Sequence, residues 1–143
     1  MQTQNPNRPA VKRNIWPKLI TLTLILAITI FAVSLLPRGF SGDLSLIGQG
    51  TPVLLIVHDD NILQSGETMA VMNEIRDEYD GRLIFLVADI QTPDGRTFAD
   101  RHGFQPTALV FFSASGENRQ TLYSPQTAES LRRELNTTFQ YSK

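Results

Sequence analysis

Cysteine is absent from all 143 residues. Thiol–disulfide exchange needs a thiolate to attack a disulfide sulfur, so the chain performs no such exchange itself. The same absence suits reducing and oxidising spaces equally and assigns neither. Acidic residues are missing from the N-terminal part. Arg8, Lys12, Arg13 and Lys18 stand there without a counter-charge, and all fourteen acids fall between Asp43 and Glu134. A body so acidic lacks the basic face that displaces counterions from phosphates, which argues against nucleic-acid binding. No segment repeats and no Gly-rich loop has phosphate-binding spacing; Asp94-Gly95-Arg96 reads as a turn.

Charge is also missing from Leu19 to Leu36, where Thr21, Thr23, Thr29 and Ser34 are the only mildly polar residues. A helix over this run is about 27 Å long, enough to cross a hydrocarbon core. Trp16 supplies an interfacial aromatic before it and Arg38 a polar stop after it. The run therefore reads as a transmembrane signal-anchor helix over residues 15–37. Four preceding cations outweigh Arg38, which places the N-terminus in the cytoplasm and the C-terminal domain outside, in the periplasm if the source is bacterial. Two rival readings fit the segment less well. Ala32-Val33-Ser34 offers small residues for signal-peptide cleavage, but the apolar run is longer than a usual secretory core. A buried helix of a soluble domain is opposed by the lack of any polar face. Residues 1–14, rich in Gln, Asn, Pro and cations, read as a disordered basic cytoplasmic tail. Residues 38–42 read as a linker and 43–143 as one folded domain.

Periodicities alternate within that domain. Val53 to Val57 is a continuous apolar run, the pattern of a strand buried on both faces. From Gly66 to Asp80, Met69, Met72, Ile75 and Tyr79 recur at helical spacing, with both methionines on the core side. Arg82 to Val87 predicts a second buried strand, Thr97 to His102 a short helix ended by Gly103, and Ala108 to Phe112 a third strand. Ser115-Gly116 turns into an edge strand at Gln120 to Tyr123. Thr127 or Ser124 then caps a last helix through Leu131 and Leu135.

That order resembles the thioredoxin family over Leu44 to Phe139. Asn73 to Leu83 resembles the family's long helix and the turn into its central strand. Pro106-Thr107, an apolar strand and the turn Ser115-Gly116-Glu117 resemble its cis-proline loop and the hairpin that follows. The resemblance implies an α/β, thioredoxin-like fold, a central mixed sheet flanked by helices, preceded here by one N-terminal transmembrane helix.

Aligned this way, the family's Cys-x-x-Cys falls at Ile62-Leu63-Gln64-Ser65, its buried aspartate at Ile56, and its tryptophans near His58 and Asn61. The attacking atom and the proton relay are both replaced. What the resemblance leaves is a groove for extended polypeptide, between His58, Asp59, Asp60, Asn61, Ile62, Leu63, Gln64 and Ser65 on one side and Gln105, Pro106 and Thr107 on the other. The expectation is a redox-inactive, membrane-tethered domain without catalytic residue, metal or cofactor. It would bind a protein partner as an accessory or assembly subunit of a membrane or envelope complex.

Two alternatives belong to other classes. His58-Asp59-Asp60, with His102 brought near, offers metal ligands or a general acid and base. Acids at a strand end more often form turns, and a histidine there is more often simply solvated. The third reading is a structural subunit acting mainly through its transmembrane helix. Ser65 is expected to cap the following helix rather than act as a nucleophile. Asn136-Thr137-Thr138 matches a glycosylation sequon, which matters only in a source that glycosylates exported proteins.

Overall fold

The computed structural model describes residues 16–34, 39–123 and 125–141. The expected tail, the end of the apolar run, Arg38 and the alternative cap Ser124 lie outside these described residues. The chain divides into two units, Met1–Arg38 and Gly39–Lys143.

The first unit holds helix α1, Trp16–Ser34. Its window Trp16–Val33 has a mean hydropathy of 2.0, long and apolar enough to cross a membrane. The hydroxyls of Thr21 and Thr29 donate to the carbonyls of Pro17 and Ile25, both at 2.9 Å. Each is thereby satisfied inside the helix, which keeps the outer surface apolar.

The second unit is a mixed α/β domain. Four strands, β1 (Val53–His58), β2 (Ile84–Asp89), β3 (Leu109–Phe112) and β4 (Asn118–Leu122), form one sheet in the order β2-β1-β3-β4. β1 runs parallel to β2 and antiparallel to β3, and β3 runs antiparallel to β4. Val53 to Val57 are wholly buried because β1 has a strand on each side and helices over both faces. Alternation then sorts the side chains. Leu54, Ile56, Phe85, Leu109 and Phe111 form one core with Met72, Ile75 and Tyr79 and with Leu131 and Leu135. Val53, Leu55, Val57, Leu86, Ala88, Val110 and Phe112 form the other with Ala99, Phe98 and Phe104.

Helix α2 (Leu63–Ile75), continued by a 3-10 turn at Arg76–Tyr79, and helix α4 (Ala128–Phe139) therefore cover one face. Helix α3 (Pro93–His102) covers the other. Phe40 stacks on Phe85 at 6.0 Å, and Ser41 bridges in parallel to Leu86 at the outer edge of β2. Both residues thus belong to this unit.

Two local expectations are corrected. Asp94-Gly95-Arg96 is not a free turn but the first turn of α3, which begins four residues before Thr97. Thr92 caps it by accepting from the Gly95 N–H at 3.1 Å, and Pro93 occupies the first helical position. Helix α2 likewise begins at Leu63, ahead of the expected Gly66, with Ile62 at the cap position and no side-chain capping bond. Other boundaries agree closely. Gly103 ends α3 at φ 67°, and Thr127 caps α4 in a reciprocal capping box with Ser130.

Candidate functional site

Parallel pairing sets the site. His58 lies opposite Asp89 in the register of β1 and β2, so the loops leaving both strands emerge side by side. Loops at the carboxyl ends of parallel strands are where open α/β sheets carry ligands. The third loop leads into β3: the Thr107 N–H donates to the Val57 carbonyl at 2.8 Å and the Val57 N–H to the Ala108 carbonyl at 2.9 Å. Gln105, Pro106 and Thr107 are thereby held against the end of β1, next to His58.

Ser65 is the hub of the first loop. It is wholly buried; its Oγ lies 2.7 Å from His58 Nδ1 and accepts the Asp59 N–H at 3.1 Å. His58 Nε2 lies 2.8 Å from Asp60 Oδ1. In the neutral ring Nε2–H donates to the Asp60 carboxylate, so Nδ1 accepts and the Ser65 hydroxyl donates. Ser65 is thus not the helix cap expected of it. It is the third residue of α2, and its hydroxyl ties the helix back to the end of β1.

Asp59 organises the turn. Its Oδ1 accepts the backbone and side-chain N–H groups of Asn61, each at 2.9 Å, and the Gln91 amide at 3.2 Å. These bonds, the Asn61 backbone N–H foremost, hold its carboxyl below the usual aspartate range, with a smaller contribution from His58. Gln91 is a site residue that the sequence reading missed. It follows β2, and only parallel pairing brings it to a residue 32 positions earlier.

The chemistry of this arrangement is limited. Ser65, His58 and Asp60 form a hydrogen-bonded series of the residue types that hydrolases use, but the hydroxyl is sealed from solvent and already accepts a backbone N–H. A nucleophile needs an open approach to its oxygen. Both His58 ring nitrogens are occupied, and no group of three His, Asp or Glu side chains converges among the described residues. His102 is not joined to His58. Its ring packs 4.5 Å from Phe98 and 5.5 Å from Phe104, on the second core.

The exposed part of the site is apolar and amide in character, with one acid, Asp60, whose side chain is also exposed. Leu63, in the first turn of α2, is 80% exposed. Asn61 and Gln105 are exposed, while Ile62, Gln64, Pro106 and Thr107 are half-buried. Among the described residues there is no cis peptide bond, so Pro106 is trans, a departure from the family loop it resembles. Thr107 instead carries the unusual backbone, a left-handed φ of 74°. That conformation is uncommon for a β-branched residue.

Asn136 of the sequon sits on α4, its Oδ1 accepting the Tyr79 hydroxyl at 3.1 Å. Neither the scan of protein-family models nor the search of curated proteins finds a match to this chain.

Proposed function

We propose that residues 39–143 form a thiol-free, thioredoxin-like domain, tethered to a membrane by α1, that binds an extended segment of a protein partner. The reading makes it an accessory or assembly subunit rather than an enzyme. Sheet order and the helix placement on the two faces support the family resemblance, and the cysteine-free β1–α2 loop supports a role without thiol chemistry. The flanking cations Arg8, Lys12, Arg13 and Lys18 support a cytoplasmic N-terminus and an extracytoplasmic domain.

The observation that carries the binding role is the contrast between Ser65 and Leu63. One side chain is buried and locks the loop by hydrogen bonds; the other, two residues earlier, is 80% exposed. Locking a loop lowers the ordering cost of binding, and a large apolar side chain left in water is a natural anchor for a partner. Metal or general acid–base chemistry has less support, because His58 has no free ring nitrogen.

The test is gentle detergent extraction of the full chain at native abundance, with mass spectrometry of what co-purifies. Leu63→Asp, alone and with Gln105→Pro, is expected to lose a defined partner set while melting like the parent. Retention of that set by both variants would move the contact to α1 or another face.

A further inference from the structure

The geometry points to a second binding site, on elements other than the groove. We infer that the depression of about 640 Å³ between the Arg76–Tyr79 turn and α4 takes a carboxylate of an acidic polypeptide, with Arg82 and Arg133 as its cationic ligands. Its volume falls in the range of ligand sites, about 300–1,000 Å³.

One of the three arginines lining it is already matched. Arg132 Nε donates to both Glu78 carboxylate oxygens at 3.0 Å and its Nη2 donates at 2.7 Å, with Glu74 3.7 Å away. Arg82 is different: it makes no ion pair among the described residues, yet it is held in place. Its guanidinium lies over the rings of Tyr79 and Tyr141, at 5.5 and 5.1 Å, and its Nη2 donates to the Glu78 carbonyl at 2.7 Å. An exposed arginine is ordinarily mobile, so a fixed one without a counter-ion is an anion ligand whose ordering cost is already met. Arg133 is exposed and also makes no ion pair among the described residues. Asn136 adds a third donor, because Tyr79 holds its Oδ1 and leaves the amide N–H groups without an acceptor among the described residues. Glu129, on the same wall, is the one unmatched acid and the competitor for these donors.

Charge decides between a polypeptide carboxylate and a lipid headgroup. After residue 38 the chain has eight Lys and Arg against fourteen acids, so an anionic bilayer repels the unit as a whole. Three of those eight cations meet at this depression. A bilayer meets the whole acidic face, whereas beyond about 8 Å salt screens the remaining charge, so a short carboxylate ligand senses mainly the local set, three arginines against Glu78 and Glu129, which is net positive.

The test uses the full chain in detergent micelles, following the Arg Nε and Asn Nδ2 signals by NMR. The probes are acetyl-triglutamate amide, acetyl-triglutamine amide and inorganic phosphate. Saturable shifts at Arg82, Arg133 and Asn136 with the glutamate peptide alone are expected, weakened about tenfold in Arg82→Gln and in Arg133→Gln, as loss of a charge-assisted bond implies. Glu129→Gln should tighten binding, and Leu63→Asp should leave it unchanged, which separates this site from the groove. Arg133 touches no core, so its variant tests the site even if Arg82→Gln misfolds. No saturable shift, shifts spread equally over Arg76, Arg96 and Arg119, or phosphate binding as tightly as the glutamate peptide would overturn the proposal.

Discussion

Ser65 Oγ lies 2.7 Å from His58 Nδ1, and that bond joins the first turn of α2 to the last residue of β1. The Ser65 hydroxyl donates to one neighbour and accepts from the Asp59 N–H, and no buried polar side-chain atom is left unpaired among the described residues.

Ser65→Ala removes both bonds and leaves the half-buried Asp59 N–H without its side-chain acceptor. The expected cost is about 1–3 kcal/mol, read as a lowered melting temperature of the full chain. His58→Ala should lose less, because it leaves the Ser65 hydroxyl still accepting from Asp59. Equal melting of Ser65→Ala and the parent would show that the loop is held by other contacts.

Gly95 admits no side chain. A Cβ there would overlap the Asp89 carbonyl oxygen and lie 2.7 Å from that residue's backbone nitrogen and carbon, none of which can rotate away. Gly95→Ala is therefore expected to destabilise by about 3 kcal/mol or more, at or beyond the upper end of ordinary overpacking. Denaturant unfolding checks it, with Gly66→Ala, where a Cβ meets nothing within 4 Å, expected to be neutral or stabilising.

Thr107 holds a left-handed backbone at φ 74°, which costs a β-branched residue roughly 1–2 kcal/mol. Asparagine enters that region more readily. Thr107→Asn should raise stability in thermal melts, and an unchanged or lower melting temperature would mean that the threonine side chain makes a compensating contribution.

Glu78 and Arg132 link the end of the α2 extension to α4. The guanidinium's hydrogen bonds hold the Glu78 carboxyl below the usual glutamate range. A depressed folded-state pKa gives stability that is full above the unfolded value and is lost as pH falls through the folded one. Acid melts should show this loss, and Glu78→Gln should flatten it. At the alkaline end, burial raises the Tyr79 and Tyr141 phenols, so stability should decline once pH passes the ordinary tyrosine value, about 10. Tyr141→Phe should delay that decline.

The amino-acid sequence by itself determined the long apolar helix, the three buried strands, the capped last helix and the two-residue punctuation at Gly103 and Gly116. These follow from local pattern: runs of β-branched residues, helical recurrence of Met72, Ile75 and Tyr79, and the few residues that tolerate a cap or a left-handed turn. Tertiary structure alone decided what each polar side chain does. Ser65 is a helix cap on local grounds, and becomes a buried tether only because β1 ends against it. Asp94-Gly95-Arg96 is a turn on local grounds, and becomes helix because Thr92 caps it and Gly95 packs on the end of β2. Tyr79 meets Asn136 across 57 positions, and Asp59 meets Gln91 across 32. Burial and hydrogen-bond partners are properties of chain segments brought together in space, and a local pattern records which segments are apolar but not which polar groups will face one another.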